Sequence, residues 1–600
     1  MKKSLLKKSL LCASIIIGVS AFADPGSQLP GSGGYINPNL GGLDSGAIDN
    51  SNFIRNQQYQ KSVRYAETKD PAIIEEEVRQ KMDLLNTEQV SFKLKNISIT
   101  GNTVFPTYVL MRLVDFKIGQ EVTINDLIMS ANDITDYYQA KGYISTIAYL
   151  PPQKVKNGTI EIKILEGKYG NVEINPGKWE RASYLNKKYL QDNNIEPGKV
   201  LNVKDVRNAL QEMSTEEYMQ GAVSFADNEE SEEYSDVTLD VKDRFPLNLD
   251  LRYDNQGREA IGTERGVIYA GLHDVTGHGD TLMGTLSYSS RSIGAGGMYS
   301  LPIAKNDTRL NIGYSYSHVR PRRSDFLNFA QMSGDSHDVF VGVSRRLAQG
   351  NDYRLYGDIT LDMRNTYLNS DVLSAAGIHL DDYRSRVVRA TLTDVKDDFY
   401  GRWMFTGGAA TGIPVDASDH HKDRAKSSNN FVKLNAGAAR LQVLPFNHLA
   451  ILQVNGQYAN RHLWASEAMQ IGGISSVRGY EEGFRIGDYG VTASFEYRMP
   501  IPGLRAILPE KYKFIGDSIQ LAGFYDFGWF GDRFQRQNDT NRYSEYLMSV
   551  GPGIVVKLTK YISANLYWGF PVGSRRHLDF AGKTYRDDCR FHFTVTSNIL

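Results

Sequence analysis

Cysteine is nearly absent: the 600 residues hold two, Cys12 and Cys589. Cys12 lies in a stretch read below as a removable leader, so no intrachain disulfide framework is open to the mature chain. Long apolar runs are equally scarce. Beyond the first 23 residues nothing approaches the ~18 apolar residues that a membrane helix needs, which excludes a helical span. A β-barrel is not excluded, because its strands alternate lipid-facing and lumen-facing residues and read as hydrophilic on average. The mean hydropathy of -0.39 fits a soluble protein or a barrel. An excess of one charge is also missing, with 68 Lys+Arg against 69 Asp+Glu. That balance points to neither nucleic acid nor an anionic membrane surface as a partner. No Gly-x-Ser-x-Gly, His-Glu-x-x-His or Gly-x-x-x-x-Gly-Lys-Ser/Thr occurs, so the commonest hydrolase, metalloprotease and nucleotide-binding signatures are missing. We expect no enzyme, no cofactor and no metal. His420-His421, beside Asp416, Asp419 and Asp423, offers metal-ligand residue types but reads as a solvated loop tip.

What is present begins with a leader. Met1-Lys2-Lys3 and Lys7-Lys8 precede an apolar run from Leu10 to Val19, and Ala21-Phe22-Ala23 supplies small residues for cleavage. Residues 1–23 are therefore expected to be a secretory signal cleaved after Ala23. A lipoprotein reading of Cys12 is weakened by the bulk of Leu11 before it. Removing the leader leaves 64 basic against 69 acidic residues.

Residues 24–92 form an N-terminal region that opens with seven glycines and Pro25, Pro30 and Pro38 by residue 50, a flexible lead-in. Two helices are expected inside it. Ala47 to Ala66 is polar and free of Gly and Pro; Asp70-Pro71 offers an N-cap and first-turn proline to a helix carrying Ile74, Val78, Met82 and Leu85 on one face through Thr87.

Residues 93–167 read as strand, helix, helix, strand, strand. The strand Lys93 to Thr100 ends at Gly101-Asn102. Helices follow over 107–114 and on a face carrying Ile124, Leu127, Ile128, Ala131, Ile134 and Tyr138; strands at 144–150 and 159–165 close the unit. Residues 168–246 repeat that order with little identity. Tandem α+β units in an exported chain suggest a periplasmic scaffold, against the alternative of two generic α+β domains.

From Leu247 onward the period changes to two. Tyr353, Leu355, Gly357, Ile359, Leu361 and Met363 alternate with Arg354, Tyr356, Asp358, Thr360, Asp362 and Arg364. Similar alternation recurs at 280–288, 310–318, 491–499, 562–570 and 591–596. About sixteen such strands fit residues 247–600, as a membrane barrel requires. Short connections near 302–307, 348–352, 445–448 and 558–561 alternate with long ones near 319–335, 368–382, 413–429, 461–489 and 573–589. Only the connection 500–517 breaks the rule. A soluble sandwich or propeller does not predict this asymmetry, so the expected fold is a transmembrane β-barrel of about 16 antiparallel strands behind two small α+β domains.

One candidate site stands out. Val477-Arg478-Gly479-Tyr480 lies in a Gly-rich loop, and on a later strand Gln520, Ala522, Phe524, Asp526 and Gly528 share the face expected to line the lumen. Gly472, Gly473, Gly479, Gly483 and Gly487 allow that loop to fold inward. Arg478 and Asp526 then meet in a confined, charge-assisted pair. A solvated arginine and an unrelated lumen aspartate is the plainer alternative.

Val477-Arg478-Gly479-Tyr480 is similar to the loop motif of the POTRA-plus-barrel superfamily of outer-membrane proteins, and the segment around Asp526 to its partner strand. Two repeats ahead of sixteen strands resemble the two-partner secretion transporters of the hemolysin-activator and filamentous-hemagglutinin-transporter type. Ile99 to Phe105, Lys141-Gly142-Tyr143, Leu150-Pro151-Pro152-Gln153 and Leu165-Glu166-Gly167 extend the likeness over nearly all of the chain from residue 93. The resemblance implies POTRA-like domains in the periplasm of a Gram-negative bacterium and a barrel in outer-membrane lipid, inserted by the barrel assembly machinery. It also implies a large secreted partner of the hemolysin, adhesin or contact-dependent toxin type, and a plug helix in the resting lumen. Ala47 to Ala66 is the first candidate for the plug and Pro71 to Thr87 the second; either reads otherwise as a linker helix. The chain departs from the usual aromatic ending with Leu600, which falls on the opposite parity from Phe591 and Phe593. An insertase of other barrel proteins shares the loop motif but implies more tandem domains; a passive pore needs none.

Overall fold

The computed structural model describes residues 82–83 and 91–599, apart from 115–116, 156, 214–217, 229–230, 232, 322–331, 351–352, 376–382, 415–428, 511–515, 517, 534–543, 559–561, 573–576, 579–583 and 586–588. The leader, the first plug candidate, all but Met82 and Asp83 of the second, the His420-His421 loop and Leu600 lie outside the described residues. The chain divides into two compact units between Pro246 and Leu247.

The first unit holds two small sheets of the same topology. Strands β1 (Phe92–Lys93), β2 (Asn96–Thr100), β3 (Glu121–Val122), β4 (Ile147–Tyr149) and β5 (Thr159–Leu165) precede β6 (Lys168–Asn175), β7 (Met219–Asp227) and β8 (Tyr234–Asp243). The sheets run β2-β5-β4 and β6-β8-β7, each with its first strand parallel to the central one. Helices α1 (Thr107–Met111) and α2 (Ile124–Ala140) cover the first sheet, and α3 (Val203–Met213) packs on the second. Thr123 caps α2 in a reciprocal box: Asp126 N–H donates to Thr123 Oγ1 at 3.3 Å and Thr123 N–H to Asp126 Oδ2 at 2.8 Å. Those bonds from the Thr123 amide and hydroxyl hold the Asp126 carboxyl below its ordinary range. Leu127, Ala131, Ile134 and Tyr138 enter the core as expected, whereas Ile124 is 44% exposed, because the first helical residue lies off the sheet.

Two of the sequence signatures meet at Glu166. Its buried carboxylate accepts from the amides of Thr103 and Val104 at 2.8 and 3.0 Å, from Thr103 Oγ1, and from Tyr138 Oη at 2.8 Å. Burial and this carboxylate together push the Tyr138 phenol up. Glu166→Ala strands those donors, so it should destabilise the first domain by roughly 3 kcal/mol. Limited proteolysis of the full chain in rising urea reads this as earlier cleavage within residues 93–167; unchanged protection refutes it.

The second unit is a closed barrel of sixteen strands, all antiparallel to their neighbours. In chain order they begin β9 (Leu247–Asp254), β10 (Arg265–His273), β11 (Thr281–Ser289), β12 (Ser292–Ala304), β13 (Thr308–Val319), β14 (Met332–Gln349), β15 (Tyr353–Ser370), β16 (Tyr383–Asp398), β17 (Gly401–Gly412), β18 (Val432–Leu444) and β19 (His448–Ala459). Two short strands, β20 (Met469–Ile471) and β21 (Arg485–Gly487), pair with each other inside a loop. The wall resumes with β22 (Tyr489–Pro500), β23 (Ile519–Gly531), β24 (Ser544–Lys557) and β25 (Ile562–Pro571). After β26 (His577–Leu578) and β27 (Thr584–Tyr585), β28 (Arg590–Asn598) closes the ring against β9.

Burial is inverted relative to a soluble sheet. On β15 the polar face is the covered one, with Arg354, Asp362, Arg364 and Thr366 buried and Ile359 63% exposed. Leu286, Ile312, Val343, Leu392 and Leu434 point outward in the same way, giving the apolar exterior a bilayer demands. Connections at the end where Leu247 enters are short, except 501–518, while those at the other end are long, except 290–291. No described helix is long and apolar enough to cross a membrane.

Candidate functional site

The loop between β19 and β22 folds inward, and its motif meets the lumen face of the wall. On β23 the residues Gln520, Ala522, Phe524, Asp526, Gly528 and Phe530 are buried, while Gly523, Tyr525 and Trp529 are exposed. The alternation in the sequence therefore assigned Asp526 to the correct face.

Arg478 grips Asp526 with both arms of its fork. Nε donates to Oδ2 at 2.7 Å and Nη2 to Oδ1 at 2.8 Å, and the Arg478 amide adds a third bond to Oδ2 at 3.0 Å. Ser494 Oγ on β22 donates to Oδ1 at 2.6 Å and accepts from Nη2 at 3.0 Å. The remaining nitrogen, Nη1, pairs with Glu496 on β22. Glu496 in turn accepts from Arg498 Nε at 2.6 Å and Tyr567 Oη at 2.9 Å. Two guanidinium groups thus face two carboxylates, so this buried cluster is neutral overall, as buried charge must be. Arg478 Cζ lies 3.7 Å from the Phe524 ring centroid and 4.9 Å from that of Tyr567, two cation–π contacts with rings that themselves meet edge to face at 5.9 Å.

Each other motif residue has its own seat. Val477 is fully buried beside Ile471, Tyr480, Phe530 and Leu547. Gly528 opens the space for it: a Cβ there would stand 2.9 Å from Val477 Cγ2 and 2.6 Å from Ile471 Cγ2. Gly479 has φ +90° and crosses Gly569 of β25 backbone to backbone, and its amide donates to His592 Nε2 at 3.0 Å. Tyr480 Oη donates to the Met548 carbonyl of β24 at 3.2 Å. Phe524, Asp526 and Gly528, two residues apart on one strand, so present a ring, a charge and a gap that match three features of the loop.

Sequence reasoning placed Val477, Arg478, Gly479, Tyr480, Phe524, Asp526 and Gly528 together and missed Ser494, Glu496, Arg498, Tyr567, Gly569 and His592. The signal available for these was parity. Ser494, Glu496 and Arg498 alternate on β22, and His592 sits between outward Phe591 and Phe593 on β28. Among the described residues, His462, Asp488 and Asp532 are the one group with metal-ligand spacing. Asp488 already accepts from His462 Nδ1 at 2.7 Å and from the amides of Leu463 and Arg533 at 2.9 and 2.7 Å, so it serves as a staple for the loop stems.

Comparison with known proteins agrees with this architecture. The family profile described as haemolysin secretion/activation protein ShlB/FhaC/HecB matches residues 233–556, and the ShlB-type POTRA domain matches residues 92–167. The heme/hemopexin transporter protein HuxB of Haemophilus influenzae is 22% identical over 484 residues, covering 78% of this chain and 81% of that protein. The outer membrane transporter CdiB of Dickeya dadantii is 25% identical over 392 residues, covering 61% and 64%. In fold, CdiB from Escherichia coli superposes with a TM-score of 0.70 at 19% identity over 92% of this chain and 98% of that one; CdiB from Acinetobacter baumannii gives 0.64 at 17% over 91% and 96%. The chain belongs to the ShlB/FhaC/HecB family of haemolysin secretion/activation proteins and is an outer-membrane transporter.

Proposed function

We infer that the barrel exports a large partner protein from the periplasm to the cell surface, and that the latch of Arg478 on Asp526 holds the lumen loop in the position export requires. The observation that carries this reading is the loop itself: it is folded into the lumen and held against the wall through every residue of its motif, Val477 by packing and the other three by polar contacts. A simple solute pore has no use for such a device, nor for two tandem domains in front of it.

Capture of the partner is assigned to those domains. Each sheet keeps open edges, and among the described residues β7 pairs only with β8, leaving its outer rim of backbone donors and acceptors available. Adding an unfolded strand there uses backbone groups and tolerates varied side chains. Of the hemolysin, adhesin and contact-dependent toxin types of cargo that the resemblance implies, the family description of haemolysin secretion/activation supports the first. Outer-membrane lipid around the wall and the barrel assembly machinery complete the proposed partners. Without a nucleotide-binding signature, the driving force is assigned to the partner's folding outside.

The test is co-expression with a large exported protein encoded beside this chain. Surface display of that protein only when the transporter is present is the expected result. Display without the transporter refutes the reading, and a general loss of barrel proteins on its deletion favours an insertase instead.

A further inference from the structure

The same loop carries a second ionic contact, of opposite polarity, on another part of the wall. Glu467 is 2% exposed and accepts from Arg389 Nη1 of β16 at 2.8 Å and from Lys433 Nζ of β18 at 2.8 Å. Arg389 reaches its other oxygen as well. The Glu467 carbonyl takes further bonds from Lys433 Nζ at 3.1 Å and Gln457 Nε2 at 3.2 Å. Arg389 is completed by Asp362 of β15, whose Oδ2 accepts from Nε at 2.5 Å. Two cations and two carboxylates again cancel. Here the loop supplies the anion and the wall the cations, whereas at Arg478 the loop supplies the cation.

The position of Glu467 gives this contact its meaning. β20 and β21 pair in the register Met469↔Gly487 and Ile471↔Arg485, so the loop is a hairpin. Glu467 lies two residues before β20, at the base, and Arg478 lies beyond β20, in the tip. The base is fixed to β16 and β18, and the tip to β22 and β23 with further contacts on β24, β25 and β28. Contacts at the tip alone leave the base a lever that can swing about them; the Glu467 contact restrains it.

We propose that Glu467 is a positioning residue for the Arg478 latch: through Arg389 and Lys433 it sets the orientation in which the hairpin tip meets Asp526. The proposal rests on the reading of the latch as part of the export machinery, and a readout of loop position separates the two. Cys589 is the one cysteine after the leader and is exposed, so a Cys589→Ser background accepts a single spin label at Ser475→Cys, an exposed position beside the tip.

The expected spectrum is immobilised in the otherwise unaltered protein. In Glu467→Gln it gains a mobile component, with heat-modifiable gel migration of the barrel unchanged, because Arg389 and Lys433 are left sharing one carboxylate. The loop equilibrium should shift roughly a hundredfold toward the undocked state. Glu467→Asp, which keeps the charge on a shorter arm, recovers part of the immobilised signal. An immobilised spectrum in Glu467→Gln overturns the proposal, whatever export does. A mobile spectrum with full export supports the positioning role and refutes the part assigned to the latch. Should Glu467→Gln lower the folded fraction, Arg389→Gln removes the two-pronged grip on Glu467 from the wall side and must give a mobile component; an immobilised one refutes the proposal.

Discussion

Arg478→Ala is expected to cut export by about a hundredfold while the barrel stays in the membrane at its normal level. The two halves of that result have separate physical causes. Removing the guanidinium leaves Asp526, which is 0% exposed, with only Ser494 Oγ and the loop amide as partners. A buried charge stripped of its counter-ion costs about 3–5 kcal/mol, and each 1.4 kcal/mol is a factor of ten, so the docked loop loses roughly two to three and a half orders of magnitude in population. Glu496 fares better, because Arg498 and Tyr567 remain on it. The wall loses nothing: its ladders from β9 to β28 are backbone hydrogen bonds in which Arg478 has no part. Asp526→Ala is expected to be nearly as damaging, softened by Glu496, which still pairs with Arg478. Arg478→Lys keeps the charge but not the fork, and should recover only a fraction of export, since a single ammonium cannot span both Asp526 oxygens and Glu496. Surface-displayed partner per folded transporter is the quantity to measure. Wild-type display by both alanine variants would remove the latch from the mechanism.

Asp526 was legible in the sequence because a strand with one face in lipid and one in the lumen has a strict two-residue period, and the polar face can only be the inner one. The hairpin's own glycines, and the length of the loop that carries them, made an inward fold readable too. Glu496 and Glu467 were not readable, for the reason that made Asp526 readable: every strand offers polar residues to the lumen, and parity fixes the face but not which charges meet across it. The Gly479–Gly569 crossing left no signal either, since a glycine in a strand reads as weak β-propensity until the segment passing over it is known. Strand ends were misjudged where polar alternation continues past the bilayer. β14 and β15 each run 18 residues, about 45 Å of barrel height once the strands are tilted, against a ~25 Å apolar band, so a connection expected from 368 begins only after Ser370.

Gly569→Ala is the sharper test of the seat, because it separates steric exclusion from backbone strain. At Gly479 the two are entangled: φ is +90°, where an L residue is strained by about 1–3 kcal/mol, and a Cβ would also stand 2.9–3.2 Å from the Gly569 backbone. Gly569 lies on β25 without a positive φ and carries no such strain, yet a Cβ there would come within 2.3 Å of Gly479 N and 2.4 Å of its Cα. Those are backbone atoms, already held by Arg478 on one side and by the His592 bond on the other, so the loop can yield only by leaving its seat. Gly523 is the matched control, a glycine of β23 around which a Cβ would meet nothing within 4 Å. Gly523→Ala should export normally and Gly569→Ala about tenfold less or worse, the cost of overpacking by a methyl group being about 1–3 kcal/mol. Equal export by the two would mean that the motif can do its work away from the wall, and the loop's contacts with β25 would then be incidental to transport.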